Sequence, residues 1–193
     1  MSTKKPPKRT SPPSAMAGER RQGILGIDAS LNGTGLCFMR DSGWYDCEKL
    51  DPMKKKGTPR LKELAYQLNW ALDKHGAPKV AVIEGYSFGS GGKMCHIGEW
   101  GGVLRLELMK RGITKIWSVP PSTLKKFVIG HAKPGKSGKD VMLLKTFQRW
   151  GADFDDHDLS DAYGLAHAGY ILEGTGGTKT DITNLSKASY EKW

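Results

Sequence analysis

Apolar and polar positions alternate from residue 23 onward in blocks that name their own secondary structure. Gly23-Ile24-Leu25-Gly26-Ile27-Asp28 is a short apolar run that ends on an acid and reads as a strand. Leu31-Asn32-Gly33-Thr34 is turn chemistry, Gly35-Leu36-Cys37-Phe38-Met39 is a second strand, and Trp44 to Leu50 suits a third, so the three make an antiparallel meander. Over residues 60–74, Leu61, Leu64, Ala65, Leu68, Ala71 and Leu72 fall at helical spacing. Lys79 to Glu84 is a buried strand, 93–111 a helix with Gly98, Gly101 and Gly102 inside it, and Lys115 to Val119 a short strand closed by Pro120-Pro121. Ser122 or Thr123 is expected to cap a short helix through Val128. A Gly/Lys/Pro loop over 130–139 leads into helices at Lys139 to Trp150 and Leu159 to Leu172. Three strands followed by alternating helices and strands predict an α/β layer fold with a mixed five-stranded sheet, three strands antiparallel and then two parallel, flanked by helices.

Four acids stand at the edges of these elements. Asp28 and Glu84 each end an apolar strand, while Asp158 and Asp161 open the last helix. A carboxylate at the end of a buried strand is costly unless something pairs with it, and several converging carboxylates suit a hard cation such as magnesium. The three-residue spacing puts Asp158 and Asp161 on one helix face. Each acid also has a plainer reading: Asp28 as a turn residue, Glu84 as a solvent-facing strand end, Asp158 as a helix cap. Asp161 is harder to explain that way, because it heads the small-residue face Ala162, Leu165, Ala166, Gly169, which lets a helix press close to a sheet. The loop after Glu84 is glycine-rich and carries Tyr86 and Phe88, aromatics suited either to stacking on an unpaired base or to core packing. Lys125, Lys126, Lys133, Lys136 and Lys139 follow the short strand, as phosphate-binding groups beside the acids or as an ordinary basic surface.

Composition sharpens the choice of substrate. The 193 residues suit one domain with tails, and the formal net charge of +10 favours a polyanionic partner. The three cysteines, Cys37, Cys47 and Cys95, show no metal-binding spacing and fit a reducing compartment. No apolar stretch is long enough to span a bilayer and no secretion signal core is present, so the expected location is the cytoplasm. Residues 1–22 hold Lys4, Lys5, Lys8, Arg9, Arg20 and Arg21 against the single acid Glu19, with four prolines among them. They read as a disordered basic arm, either an electrostatic tether for DNA or a solubilising tail. Residues 23–173 form the domain, and 174–193 a polar tail that contains Leu185, Tyr190 and Trp193.

Together these stretches resemble the RuvC family of Holliday-junction resolvases, which have the RNase H-like fold. The matching fragments are residues 24–35, Val82-Ile83-Glu84, residues 97–102 and Asp158-Leu159-Ser160-Asp161-Ala162, in family order over about 23–172. The resemblance implies a homodimer that cuts a four-way DNA junction in a magnesium-dependent reaction, with manganese able to substitute, leaving 5′-phosphate and 3′-hydroxyl ends. It implies that Asp28, Glu84, Asp158 and Asp161 hold the metals in a two-metal-ion hydrolysis. It puts the base-contacting aromatic at Phe88, with Tyr86 nearby, one lysine of the site around Lys125 and the catalytic one at Lys139 or Lys136. Ala29-Ser30 after the first acid and the basic arm depart from the family pattern in the manner of phage-encoded members. The helix 93–111, with Trp100, is the candidate for dimer packing. Three other readings compete: a broader nuclease of flaps and forks, a non-catalytic DNA-binding module, and an actin-like ATPase or sugar kinase. The last needs a second lobe for which 193 residues leave no room.

If the arm tethers DNA, deleting residues 1–22 weakens junction binding and flattens its salt dependence, by about 0.9 in log–log slope for each phosphate no longer neutralised. Binding isotherms at several salt concentrations measure this, and an unchanged slope shows the arm to be idle.

Overall fold

A computed structural model describes residues 23–85, 94–130 and 138–191, without the side chains of residues 94, 95, 138 and 139. The strands are β1 (Ile24–Asp28), β2 (Thr34–Met39), β3 (Tyr45–Leu50), β4 (Val80–Glu84), β5 (Ile116–Val119) and β6 (Ser189–Glu191). The helices are α1 (Gly57–His75), α2 (Met94–Lys110), α3 (Pro121–Ile129), α4 (Gly138–Trp150), α5 (His157–Leu172) and α6 (Lys179–Asn184). One six-stranded sheet runs in the order β3-β2-β1-β4-β5-β6. The meander β1–β2–β3 is antiparallel, β1, β4 and β5 are parallel, and β6 returns antiparallel on β5.

Alternation along the strands divides the core into two layers. Leu25, Ile27, Leu36, Phe38, Ala81 and Ile83 face α1 and α2, where Leu64, Leu68, Trp100, Leu104 and Leu108 meet them. Ile24, Cys37, Met39, Val80 and Val82 face α3, α4 and α5. Ile24, Gly26 and Asp28 therefore share the α5 side of β1, and Val80, Val82 and Glu84 share it on β4. In the β1–β4 register Gly26 lies beside Val82 and Ile27 beside Ile83, so the next step sets Asp28 beside Glu84.

The helix α5 packs against this face at unusually short range. A Cβ on Gly26 would lie 2.0 Å from the Ala162 carbonyl oxygen and 2.5 Å from the Ala166 nitrogen. One on Gly35 would lie 2.2 Å from the Asp158 carbonyl oxygen. From the other side, one on Gly169 would meet Ile24 and Val82 side chains at 2.5 and 2.7 Å. Glycine on both sides lets helix backbone rest on strand backbone, the close approach expected from the small-residue face of α5.

Three sequence expectations are corrected. The sheet has six strands rather than five, because the segment 174–193 does not stay a plain polar tail. Its Thr178 and Asp181 form a capping box that starts α6, Leu185 is buried, and β6 is clamped by Arg105, whose Nε and Nη2 donate to the Glu191 carboxylate at 2.7 and 2.5 Å. The short helix α3 is not capped by Ser122 or Thr123; it begins at Pro121 with Pro120 at the N-cap and no side-chain cap, proline at the first turn needing no partner for the hydrogen it lacks. Trp100 is fully buried and its Nε1 donates to Thr34 Oγ1 at 2.9 Å, so it is a core residue of its own chain rather than a dimer contact. Among the described residues no helix is long and apolar enough to cross a membrane.

Two alanine substitutions separate these roles. Gly26→Ala lowers stability by about 3 kcal/mol or more through overpacking against backbone. Gly98→Ala, in α2 with none of the described residues beyond its chain neighbours and its own helix backbone within 4 Å of the added Cβ, raises stability by about 0.5–1 kcal/mol. Thermal melts of the two variants check both directions, and equal effects would show that the tight seat of α5 is not a constraint.

Candidate active site

The turn after β1 is pinned at several points. Ser30 N donates to the Asp28 carbonyl at 3.1 Å, and Thr34 Oγ1 donates to the Ser30 carbonyl at 2.8 Å while accepting from Trp100. These bonds fix the place where Asp28 leaves the strand, and Asp28 is buried, with 8 % of its surface exposed. Glu84 ends the neighbouring strand, and Gly85 N donates to the Val119 carbonyl at 2.8 Å, tying the start of the following loop to β5. The close seat of α5 carries Asp161 near enough for its charge to act on Glu84.

Glu84 reports this convergence electrostatically. Burial pushes its carboxyl well above the ordinary range, the negative charges of Asp28 and Asp161 push it further, and a hydrogen bond shared with Asp28 favours the protonated form; the positive charge of Lys125 opposes them. Glu84 therefore senses an acid from β1 and one from α5 at the carboxyl ends of adjacent parallel strands, and a lysine from α3 as well. Such crevices at strand ends are the ligand sites of open α/β sheets.

The fourth acid is held differently. Asp156, not Asp158, caps α5: its Oδ1 accepts from the backbone nitrogens of Asp158 and Leu159 at 2.8 and 3.2 Å. The Asp158 carboxylate pairs instead with Lys49 of β3, Nζ to Oδ2 at 2.7 Å, and the same ammonium reaches Asp156 Oδ2 at 2.6 Å. Thus Asp28, Glu84 and Asp161 come together, and Asp158 stands one helical turn away on a lysine partner. Sequence reading missed Lys49 and Asp156. The signal for Lys49 was strand alternation, which turns it to the α5 side opposite Gly35; the signal for Asp156 was an Asx residue just ahead of the helix.

Of the predicted basic residues, Lys125 lies near the acids and Lys126 is exposed with no described interaction with them. Lys139 occupies the second position of α4, but its side chain lies outside the described residues. So do Tyr86, Phe88, Lys133, Lys136 and the arm 1–22.

The donor set fits a divalent cation. The donors are carboxylate oxygens from three elements, and burial together with the charges of Asp28 and Asp161 raises the Glu84 carboxyl, the environment a hard cation relieves. Among the described residues, the grouping whose ligand atoms all lie within 4.8 Å of one another is Asp46, Glu48 and His75 rather than the strand-end acids, yet Lys74 already pairs with both of its acids. Its buried His75 Nδ1 has no hydrogen-bond partner among the described residues, whereas a metal-bound histidine ordinarily hands its other nitrogen to an acceptor.

The sequence model of the family described as "Crossover junction endodeoxyribonuclease RuvC" matches residues 24–168. No curated protein matches the sequence significantly. Among solved structures, RuvC of Thermus thermophilus in complex with a Holliday-junction substrate is similar with TM-score 0.64 and 19 % identity, over 80 % of this chain and 98 % of that one. A second Thermus thermophilus RuvC structure gives 0.60 and 19 %, over 79 % and 96 %. These likenesses confirm the RNase H-like layout of the fold.

The raised Glu84 carboxyl sets a pH dependence for the metal-free protein. Folding favours the protonated form, so the associated stability is full below the ordinary carboxylate range and is lost as pH rises toward the folded-state value. In chelator, Glu84→Gln is expected to melt at a higher temperature than the native protein at pH 8, with the gap closing toward pH 4. A gap independent of pH would show that Glu84 does not carry the strain of the site.

Proposed function

The chain belongs to the RuvC family of crossover junction endodeoxyribonucleases, and on that premise we propose that it resolves four-way DNA junctions by magnesium-dependent hydrolysis at Asp28, Glu84 and Asp161, with Asp158 completing the metal-binding set. The observation that carries this reading is the β1–β4 register, which sets Asp28 beside Glu84 at the carboxyl ends of adjacent parallel strands, with Asp161 close enough to act on Glu84. Divalent cations held there by Asp28, Glu84, Asp161 and Asp158 would supply activation of water and charge stabilisation at the scissile phosphate. The protein's part is to hold the oxygens in place: β1 and β4 fix Asp28 and Glu84 side by side, and α5 sets Asp161 against them.

The remaining residues follow from where the elements end. Lys125 offers positive charge on the Glu84 side of the cleft, where a phosphate approaching the acids would meet it. Lys139, at the start of α4, is the second cationic candidate. The loop carrying Tyr86 and Phe88 begins one residue beyond Glu84, so an aromatic there is suited to stack on a base at the crossover, and Phe88 is our choice. Lys126, Lys133 and Lys136 are suited to phosphates farther along the arms.

Resolution needs two cuts, and one chain carries one set of acids. A two-fold homodimer matches the symmetry of a four-way junction. Trp100 being internal, apolar side chains at the surface of the same layer, Tyr66, Trp70 and Leu106, are the ones available for pairing.

Incubation of the full chain with a labelled four-way junction, magnesium and a chelator control tests the reading, beside a panel of flaps and forks. Asp28→Asn is expected to reduce cutting by about a thousandfold or more, the scale of losing an essential group, while junction binding stays near the native level. Retained magnesium-dependent cleavage in that variant, or preference for flaps over the junction, would overturn the proposal.

A further inference from the structure

Lys49 forms a direct ion pair with Asp158, one of the proposed metal-binding carboxylates. It reaches that position because the chain leading into β2 lacks side chains where they would block it. Lys49 sits opposite Gly35 in the β2–β3 register, and its Cε passes 2.4 Å from the point a Cβ on Gly33 would occupy, which itself lies 3.5 Å from Asp158 Oδ2. Gly33 has no positive φ, so its backbone conformation does not call for glycine; the space taken by the lysine stem does. The ammonium ends between the α5 cap Asp156 and Asp158, at 2.6 and 2.7 Å, and both carboxylates remain 28 % exposed, open to exchange with solvent ions.

We propose that Lys49 is a placeholder cation: it neutralises the Asp158 carboxylate in the metal-free enzyme, and a divalent cation must displace it before Asp158 can serve as a ligand. The proposal rests on the reading of the four acids as the metal site. Lys49 is then a positioning residue. It keeps the approach to the cluster from carrying an unbalanced charge, and in doing so it raises the metal concentration the enzyme needs. Asp156 gives the displaced ammonium a second partner on the same helix end, so the lysine need not swing far.

Calorimetric titration of manganese into the full chain without DNA tests this. Lys49→Gln is expected to bind manganese about tenfold more tightly than the native protein, the order of effect one neighbouring charge has near a protein surface. Gly33→Ala, which keeps the charge but pushes the stem aside, is expected to tighten binding in the same direction, and the double variant to add little to Lys49→Gln alone. Unchanged or weaker binding in Lys49→Gln overturns the proposal, as does tightening in Lys49→Gln with none in Gly33→Ala, which would reduce Lys49 to a distant field. If the native protein binds no manganese that Asp28→Asn abolishes, the metal-site reading itself falls, and this inference with it.

Discussion

Like charges gathered in a partly buried place must be balanced, and the site at the end of this sheet is organised around that requirement. Asp28, Glu84 and Asp161 are brought together by strands and a helix whose positions are set by apolar packing, not by the acids themselves. Without a metal, the balance is made from what the chain has at hand: the raised proton affinity of the buried Glu84 beside Asp28, the charge of Lys125, and the ammonium of Lys49 on Asp158. Such an arrangement is poised for a cation, because each of these substitutes is weaker than a divalent ion among the same oxygens.

The convergence depends in turn on how near α5 can come. Ordinary helix-on-sheet packing keeps the two backbones apart by the depth of their side chains. Here Gly26 and Gly35 on the sheet and Gly169 on the helix remove that spacer, and Asp161 arrives at the strand ends as a consequence. The same absence of a side chain at Gly33 admits the Lys49 stem. Glycines scattered through β1, the start of β2 and α5 thus do one job, letting charged groups meet where bulkier residues would hold them apart.

Much of this was legible in the sequence. Strand alternation put Asp28 and Glu84 at strand ends, and the run Ala162, Leu165, Ala166, Gly169 pointed to close seating of the last helix. The family pattern joined these pieces in order. What was not legible came from long-range pairing. Lys49 looks like any strand lysine until the β2–β3 register sets it opposite Gly35. Trp100 looks like a surface residue until Thr34 proves to be its hydrogen-bond partner. The segment after residue 173 seems too polar to fold, yet a capping box and the Arg105–Glu191 pair give it an edge strand. Tertiary partners decide such cases, and local composition does not contain them.

The central claim is that the strand-end acids, rather than any other grouping, are the cation site. A crystal of the full chain soaked in manganese, with anomalous difference density collected at the manganese edge, tests it most directly. The account predicts density within coordination distance of oxygens of Asp28, Glu84 and Asp161. Density on Asp46, Glu48 and His75 with none among the strand-end acids would contradict it.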